Sequence, residues 1–534
     1  MGINLLESLS DNIVIDKTKC TFCGICIERC VLDNLRMKLA PCRQACPLGV
    51  NCHSYVQLIA RGQEDEAMKI VTEALPFPGI LGRVCSQPCE ANCYRANVDG
   101  KPVAIRYLKR YLADQFDERK RQLPELAEDT GKRVAIIGSG PAGLVAAYDL
   151  VINGHAAVVF EAEKEPGGML RWAIPEFRLP LRVLEKELNL LRKIGVDFQC
   201  GVSVGQDKTV EELEREFDAM VIATGCPKHL ALNIEDEELA GCYHGLPFLR
   251  DVRSGRPPTI GSKTIVIGGG NVAVDSAQTA LRLGAEEVTI VCLESDAEVP
   301  AFPWALESAL TEGVKLEYSW GPLKFSSKNG VVNGVEFQRC LQVYDARGMF
   351  QPSFDSCELL PLEADTVIVA IGQTSDPGFF KKTGLNTDKI DPLTLQTLDK
   401  RVFWAGDVVS GPTSVIDAMA TGRQAAESVD RYLKGKHLRY GREYAGPVET
   451  DFEIDTDKAA QAERLTIAQH TVSGKDDFNE LEQGVAEKAA RQEANRCLSC
   501  GEPFGKYRTC WFCLPCEVDC PHEALWVEIP YLLR

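Results

Sequence analysis

Apolar residues recur along this chain in short continuous runs closed by glycines, and one such arrangement occurs twice. Lys132 opens KRVAIIGSGPAGLVAAYDLVINGHAAVVFEAE, in which Val134, Ala135, Ile136 and Ile137 run into a glycine turn. Apolar positions at helical spacing follow, and a second apolar run ends at Glu161. Lys263 opens the second copy, KTIVIGGGNVAVDSAQTALRLGAEEVTIVCLES. Apolar runs of this length predict strands covered on both faces, so each copy predicts a strand, a turn, a helix and a parallel strand. Shorter runs, MVIATG at residues 220–225 and VIVAIGQ at 367–373, each predict a strand ending in a small-residue turn. RVFWAGDVVSGPTSVIDAMATGRQAA predicts a further strand, a turn and a helix. Toward the ends the pattern thins. One strand is predicted at residues 12–16 and one at 525–529, and residues 434–492 read as a polar, acidic, partly helical linker.

The turns carry the first chemistry. Gly138, Gly140 and Gly143 in one copy, and Gly268, Gly270 and Ala273 in the other, stand in G-x-G-x-x-G/A spacing. The first glycine makes the tight turn, the second admits a pyrophosphate to the backbone, and the third small residue lets helix and strand pack closely. Pro141 and Ala142, and Asn271 and Val272, begin the helices whose free N–H groups face the phosphates. Glu161 is placed for ribose hydroxyls. Two such units in series predict an α/β flavoprotein with nested Rossmann-like domains. An FAD-binding domain spans 129–255 and 375–435, and an NAD(P)H-binding domain spans 256–374. Ala223, Thr224 and Gly225 close one strand on the flavin side, and Gly372 closes its counterpart. Gly406 and Asp407 are expected at the ribityl or phosphate region, and Ser414 and Val415 facing the isoalloxazine ring.

Cysteine changes the picture most. Sixteen of the 22 cysteines are clustered toward the two ends. Cys20, Cys23, Cys26 and Cys30 have the C-x2-C-x2-C-x3-C spacing of an iron–sulfur cluster, with Val31 where proline usually follows. Cys510, Cys513, Cys516 and Cys520 repeat it, with Pro521 in place. Cys42, Cys46, Cys85, Cys89 and Cys93, and the pair Cys497 and Cys500, complete the candidate ligands. Cys52 is either a ligand or a small residue opening a helix. Zinc sites pair C-x2-C units or histidines across longer loops, and seven scattered histidines favour iron–sulfur over zinc. Three to four 4Fe-4S clusters are expected. In two-cluster ferredoxins the fourth cysteine of each run serves the other cluster, so the chain ends are expected to pair with each other or with a partner's ferredoxin domain. This gives a ferredoxin-like segment at 1–38, a helical iron–sulfur domain at 39–128, and a linker with a C-terminal ferredoxin-like segment at 436–534.

Charge and composition then exclude alternatives. A net charge of −18 without a basic block argues against nucleic acid and anionic membrane surfaces. No stretch reads as a signal peptide or membrane-spanning helix, and so many free cysteines suit a cytoplasmic protein. No C-x2-C lies between residues 132 and 431, which argues against a disulfide reductase.

The cysteine-rich PCRQACPLGV and GRVCSQPCEANC, the first nucleotide fold, PGGMLRWAIPEFRLP, the nested fold and GDVVSGPTSVIDAMATGR together resemble the glutamate synthase small subunit and the N-terminal part of dihydropyrimidine dehydrogenase. The likeness covers residues 40–433. It implies FAD in the first fold, NAD(P)H in the second, clusters in the helical domain, and Gly168, Leu170 and Arg178 near the flavin. Three departures stand out. Where the family places two arginines for a 2′-phosphate, this chain has Leu293 and Glu294, which favours NADH. The family's C-x2-C before Cys42 is missing. A matching segment, EANRCLSCGEPF, stands instead near the other end. The expected function is electron transfer between NAD(P)H and iron–sulfur clusters through FAD, with no catalytic acid, base or nucleophile. Other redox subunits or ferredoxin are the expected partners, in a hetero-oligomeric complex. The alternatives are a glutamate synthase small subunit proper, or a carrier subunit with an inactive nicotinamide site.

Overall fold

The computed structural model describes residues 13–16, 19–31, 34–116, 123–385, 387–443, 446–454, 456–457, 459–505, 510 and 513–528. They divide into two units. The first comprises Met1–Gln122, Arg439–Ala468 and Gly484–Arg534, and the second Leu123–Leu438 and Gln469–Gln483.

In the second unit each glycine-turn strand stands at the centre of a five-stranded parallel sheet. The first sheet runs Val402–Trp404, Ala219–Ile222, Arg133–Ile137, Ala156–Glu161, Asp197–Cys200. The second runs Lys315–Tyr318, Glu287–Cys292, Lys263–Ile267, Thr366–Val369, Cys242–His244. In both central strands only the first residue is exposed and the next four are buried. Each fully buried Val or Ile contributes about 1.5–3 kcal/mol, so the apolar runs drive the sheets together. Lys228–His229 and Gln373–Thr374 pair antiparallel where the chain leaves the first fold and returns to it. An antiparallel meander, Trp320–Lys328, Val331–Tyr344 and Phe350–Glu363, is inserted in the second fold.

The first unit joins both ends of the chain. Ile13–Ile15 pairs antiparallel with Leu525–Val527, Ile13 opposite Val527 and Ile15 opposite Leu525. The predicted pairing of the ends is therefore observed within one chain. Asn12 and Ile529, at the margins of the two predicted strands, lie outside the described residues. Leu35–Lys38 lies between Val448–Glu449 and Glu502–Gly505 in a three-stranded sheet. Of residues 436–534, 436–438 and 469–483 belong to the second unit and the rest to this one.

Helix Glu487–Ala494 carries EANRC onto the helical segment through buried charge. Glu493, 2% exposed, accepts from the Ala104 N–H (2.7 Å), the Leu465 N–H (2.6 Å) and Arg496 (2.7 Å). Arg496 also reaches Asp99 (3.0 Å) and the Lys101 carbonyl (2.8 Å). Arg496→Met leaves the buried Glu493 carboxylate without its cationic partner, with the partly buried Asp99 losing one of two, and is expected to cost about 3–5 kcal/mol, read by denaturant melts of the holoprotein. Burial pushes the Asp99 carboxyl up, but Arg95 and Arg496 hold it down at about 2. Its stabilising contribution is whole above the ordinary value of 3.8 and is lost as pH falls toward 2.

Candidate functional site

The two glycine turns are built alike. Gly138 has φ 106°, and a β-carbon there would lie 2.4 Å from the Ala223 carbonyl oxygen. A β-carbon at Gly143 would lie 2.0 Å from the Gly138 carbonyl oxygen, so helix Pro141–Ile152 closes tightly on the turn. Gly140 differs: a β-carbon there would meet nothing within 4 Å. That open cradle is the space a pyrophosphate needs, and the residues fit a bound dinucleotide. In the second fold Gly268 (φ 131°) presses on the Ala370 carbonyl (2.3 Å to an added β-carbon), and Gly270 again faces open space. Ala273, fully buried, takes the place of the third glycine.

Each turn is overhung by a carboxylate. Glu161, 8% exposed, accepts from the Ser139 N–H (3.0 Å) and the Ser139 hydroxyl, and that hydroxyl accepts from the Gly167 N–H (2.9 Å). Ser139 was not singled out from sequence, although its place between Gly138 and Gly140 was visible. The Glu294 carboxylate lies 2.9 Å from where a β-carbon on Gly269 would stand. Burial, with Glu298 nearby, pushes the Glu294 carboxyl up. Leu293 turns away, toward Gly321 in the meander.

Other expected residues gather around the first turn. A β-carbon at Gly168 (φ 50°) would lie 2.8 Å from the Gly140 Cα, and Leu170 behind it is fully buried. Ala223, Thr224 and Gly225 follow strand Ala219–Ile222 directly. A β-carbon at Gly406 would stand 3.0 Å from the Ala142 Cβ. Asp407 accepts from the Thr413 hydroxyl (2.7 Å) and N–H (3.2 Å), and burial pushes its carboxyl up. Ser414 caps helix Val415–Leu433 by accepting from the Asp417 N–H (3.4 Å). Asn271 accepts from the Phe302 N–H (3.2 Å), Val272 packs behind it, and Gly372 (φ 129°) faces Leu230. Arg178, expected near the flavin, has its guanidinium paired with Asp275 (2.6 and 2.8 Å) on the second fold's helix, over the Trp304 ring. Sequence reasoning missed that partner.

In the first unit the cysteines converge across runs. Cys20, Cys23 and Cys26 line one cavity together with Cys520 and His522. Burial, with Cys23 and Cys520 adding to it, pushes the Cys20 thiol up to about 11, and burial pushes Cys26 up to about 12. Cys516 is pushed up to about 11 by burial and by Cys30, Cys510 and Cys513. The fourth cysteines of the two runs are held alike: Cys30 accepts from the Asn34 N–H (3.2 Å) and Cys520 from the Ala524 N–H (3.3 Å), each four residues on. Gly24 (φ 91°) and Leu514 (φ 70°) make the same left-handed turn between the second and third cysteines of each run. Cys42, Cys93, Cys497 and Cys500 line a second cavity, with Cys52 also on its wall. Cys46, Cys85 and Cys89 are buried in the same unit. Four thiols from runs far apart in sequence converge on each of these cavities, and that donor set fits metal-cluster ligation. Among the described residues, no group of three or more His, Cys, Asp or Glu side chains is arranged to hold a single metal ion.

Residues 132–422 match the family described as pyridine nucleotide-disulphide oxidoreductase. The chain belongs to that family. Residues 14–121 match the dihydropyrimidine dehydrogenase domain II, 4Fe-4S cluster family. The NADP(+)-dependent formate dehydrogenase subunit beta of Moorella thermoacetica is 37% identical over 503 residues, covering 86% of this chain and 70% of that protein. The glutamate synthase (NADPH) small chain of Mycobacterium tuberculosis is 33% identical over 452 residues, 78% of this chain and 88% of that one. Mycobacterium tuberculosis FprA in complex with NADPH shares the fold, with a TM-score of 0.51 at 19% identity over 57% of this chain and 85% of that chain. This member of the pyridine nucleotide-disulphide oxidoreductase family is an NAD(P)H-dependent FAD oxidoreductase of the iron–sulfur, glutamate synthase small-chain type. It lacks the dithiol of the disulfide reductases, since none of its six cysteines between residues 132 and 431 forms a C-x2-C pair.

Proposed function

We propose that the chain is the electron-transfer subunit of a hetero-oligomeric redox complex. In this reading it passes electrons between NADH and 4Fe-4S clusters by way of FAD. The observation that carries the reading is the joint presence of two open glycine cradles, each under a carboxylate, and thiol-lined cavities assembled from cysteines far apart in sequence. Gly138, Gly140 and Gly143 hold the FAD pyrophosphate, Glu161 and Ser139 its ribose end, and Asp407 with the N-terminus of helix Val415–Leu433 the flavin end. Bound FAD supplies the exchange between two-electron hydride chemistry and one-electron chemistry. The protein's own part is to orient the nicotinamide and the ring face to face and to keep water out.

In this reading there are three ligand sets, supported by the shared cavities and thiol neighbours: Cys20, Cys23, Cys26 with Cys520; Cys510, Cys513, Cys516 with Cys30; and Cys42, Cys93, Cys497 with Cys500. Relatives named as subunits support a partner subunit, another redox subunit or ferredoxin, as donor or acceptor.

The preference for NADH rests on Glu294, whose carboxylate repels a 2′-phosphate and accepts from a 2′-hydroxyl. Both relatives named above carry NADP(+) or NADPH in their names, so the preference separates this chain from them. Glu294→Arg is expected to raise the NADPH-to-NADH ratio of kcat/KM by roughly tenfold or more, a shift of about 1.4 kcal/mol. An unchanged ratio removes Glu294 from the selection. Bleaching of the visible flavin band by NADH under argon tests the wider reading. No bleaching with either nicotinamide would favour a carrier subunit with an inactive nicotinamide site.

A further inference from the structure

Three thiols of the helical segment, Cys46, Cys85 and Cys89, stand outside the ligand sets above. All three are buried, at 8%, 1% and 6% exposure. Cys52, the first residue of helix Cys52–Ala60, is 3% exposed, with its thiol beside those of Cys89 on one side and Cys42 on the other. The cavity that Cys52 borders already has four other cysteines, Cys42, Cys93, Cys497 and Cys500. A cubane takes four thiolates, so Cys52 is surplus there and is the missing fourth beside Cys46, Cys85 and Cys89.

An independent observation points to the same place. Lys109, on helix Ile105–Gln115, is 5% exposed. No carboxylate pairs with it among the described residues. The groups acting on its ammonium are the thiols of Cys85, Cys89, Cys46 and Cys52. Burying a cation costs several kcal/mol unless an anion faces it. Neutral thiols do not meet that need, whereas a cluster held by four thiolates is anionic in either oxidation state. A fixed positive charge beside it favours the reduced, more negative form.

We propose that Cys52 is the fourth thiolate of an iron–sulfur cluster held by Cys46, Cys85 and Cys89, with the Lys109 ammonium set against it to raise its reduction potential. The inference rests on the reading that this unit holds clusters, and it completes four sets from the sixteen clustered cysteines. Cys52 is then a ligand rather than a small helix-opening residue.

The test uses the full chain purified anaerobically, with iron and FAD counted per chain and EPR recorded during a reductive titration. Cys52→Ala and Cys52→Ser are expected to lose or alter one EPR component and up to roughly four irons per chain, with FAD content unchanged. That component should differ from the one removed by Cys497→Ser. Lys109→Met should shift the midpoint of the Cys52-dependent component downward while retaining its iron, and Lys109→Arg should return it toward the wild-type value. Full iron and an unchanged spectrum in Cys52→Ala would overturn the ligand assignment. So would a change confined to the Cys497-dependent component. An unmoved midpoint in Lys109→Met would remove the lysine's part. A wild-type chain that carries FAD but no cluster would defeat the underlying reading instead.

Discussion

Gly140→Val is expected to give a folded chain that purifies without flavin, while Gly270→Val is expected to keep its flavin and lose reduction by nicotinamide. The asymmetry with neighbouring glycines makes these substitutions informative. Gly140 has φ −70° and ψ −177°, and Gly270 has φ −89° and ψ 174°, backbone that any residue adopts. An added side chain at either meets only the open cradle. The cost therefore falls on the ligand, because the valine stands where the pyrophosphate would approach the N–H groups of the helix. At Gly138 or Gly143 the same change would collide with backbone oxygen at 2.4 or 2.0 Å and break the sheet–helix contact itself. Flavin absorbance and circular dichroism on the purified variants separate the two cases. A flavin-replete Gly140→Val would place the cofactor elsewhere.

Cys520→Ser is expected to remove the same EPR component as Cys20→Ser, and Cys30→Ser the same component as Cys510→Ser. Cys520 lies on the cavity of the N-terminal run, and Cys30 acts on Cys516 of the C-terminal run. On the proposed assignment each crossing thiol serves the cluster whose other three ligands are almost the whole chain away. The effect on each cluster should be loss or severe alteration, since three protein thiolates leave an iron open. If Cys520→Ser instead matches Cys510→Ser, the runs bind their clusters separately and the crossing is wrong.

The nucleotide folds were legible because their information is local. Apolar runs, glycine spacing and a terminal carboxylate all lie within about thirty residues, and their strands sit where the pattern put them. The pairing of Ile13 with Val527 was reachable only through the ligand-exchange rule, since no local pattern specifies so distant a register. The absent proline after Cys30 proved a weak cue. Val31 is 72% exposed, and the turn that matters is made by Asn34 and Leu35 donating to the Cys30 thiol. The partner of Arg178 was hidden because Asp275 reads as an ordinary polar position on an otherwise buried helix. Lys109 was hidden for the opposite reason: a lysine in a charged helical stretch reads as solvent-facing, and only packing reveals its burial. The meander escaped because strand Phe350–Glu363 is largely exposed and its pairing with Val331–Tyr344 is irregular in register, so no clean alternation marks them.

The central claim is that nicotinamide electrons reach the clusters through the flavin site built on Gly140. An anaerobic NADH titration of the wild-type chain and of Gly140→Val, followed by visible absorbance and low-temperature EPR, tests it most directly. The account predicts flavin bleaching and reduced-cluster signals in the wild type. In Gly140→Val it predicts neither with NADH, and cluster signals that return with dithionite. Clusters reduced by NADH in flavin-free Gly140→Val, or a wild-type flavin that bleaches while every cluster capable of reduction stays oxidised, would contradict it.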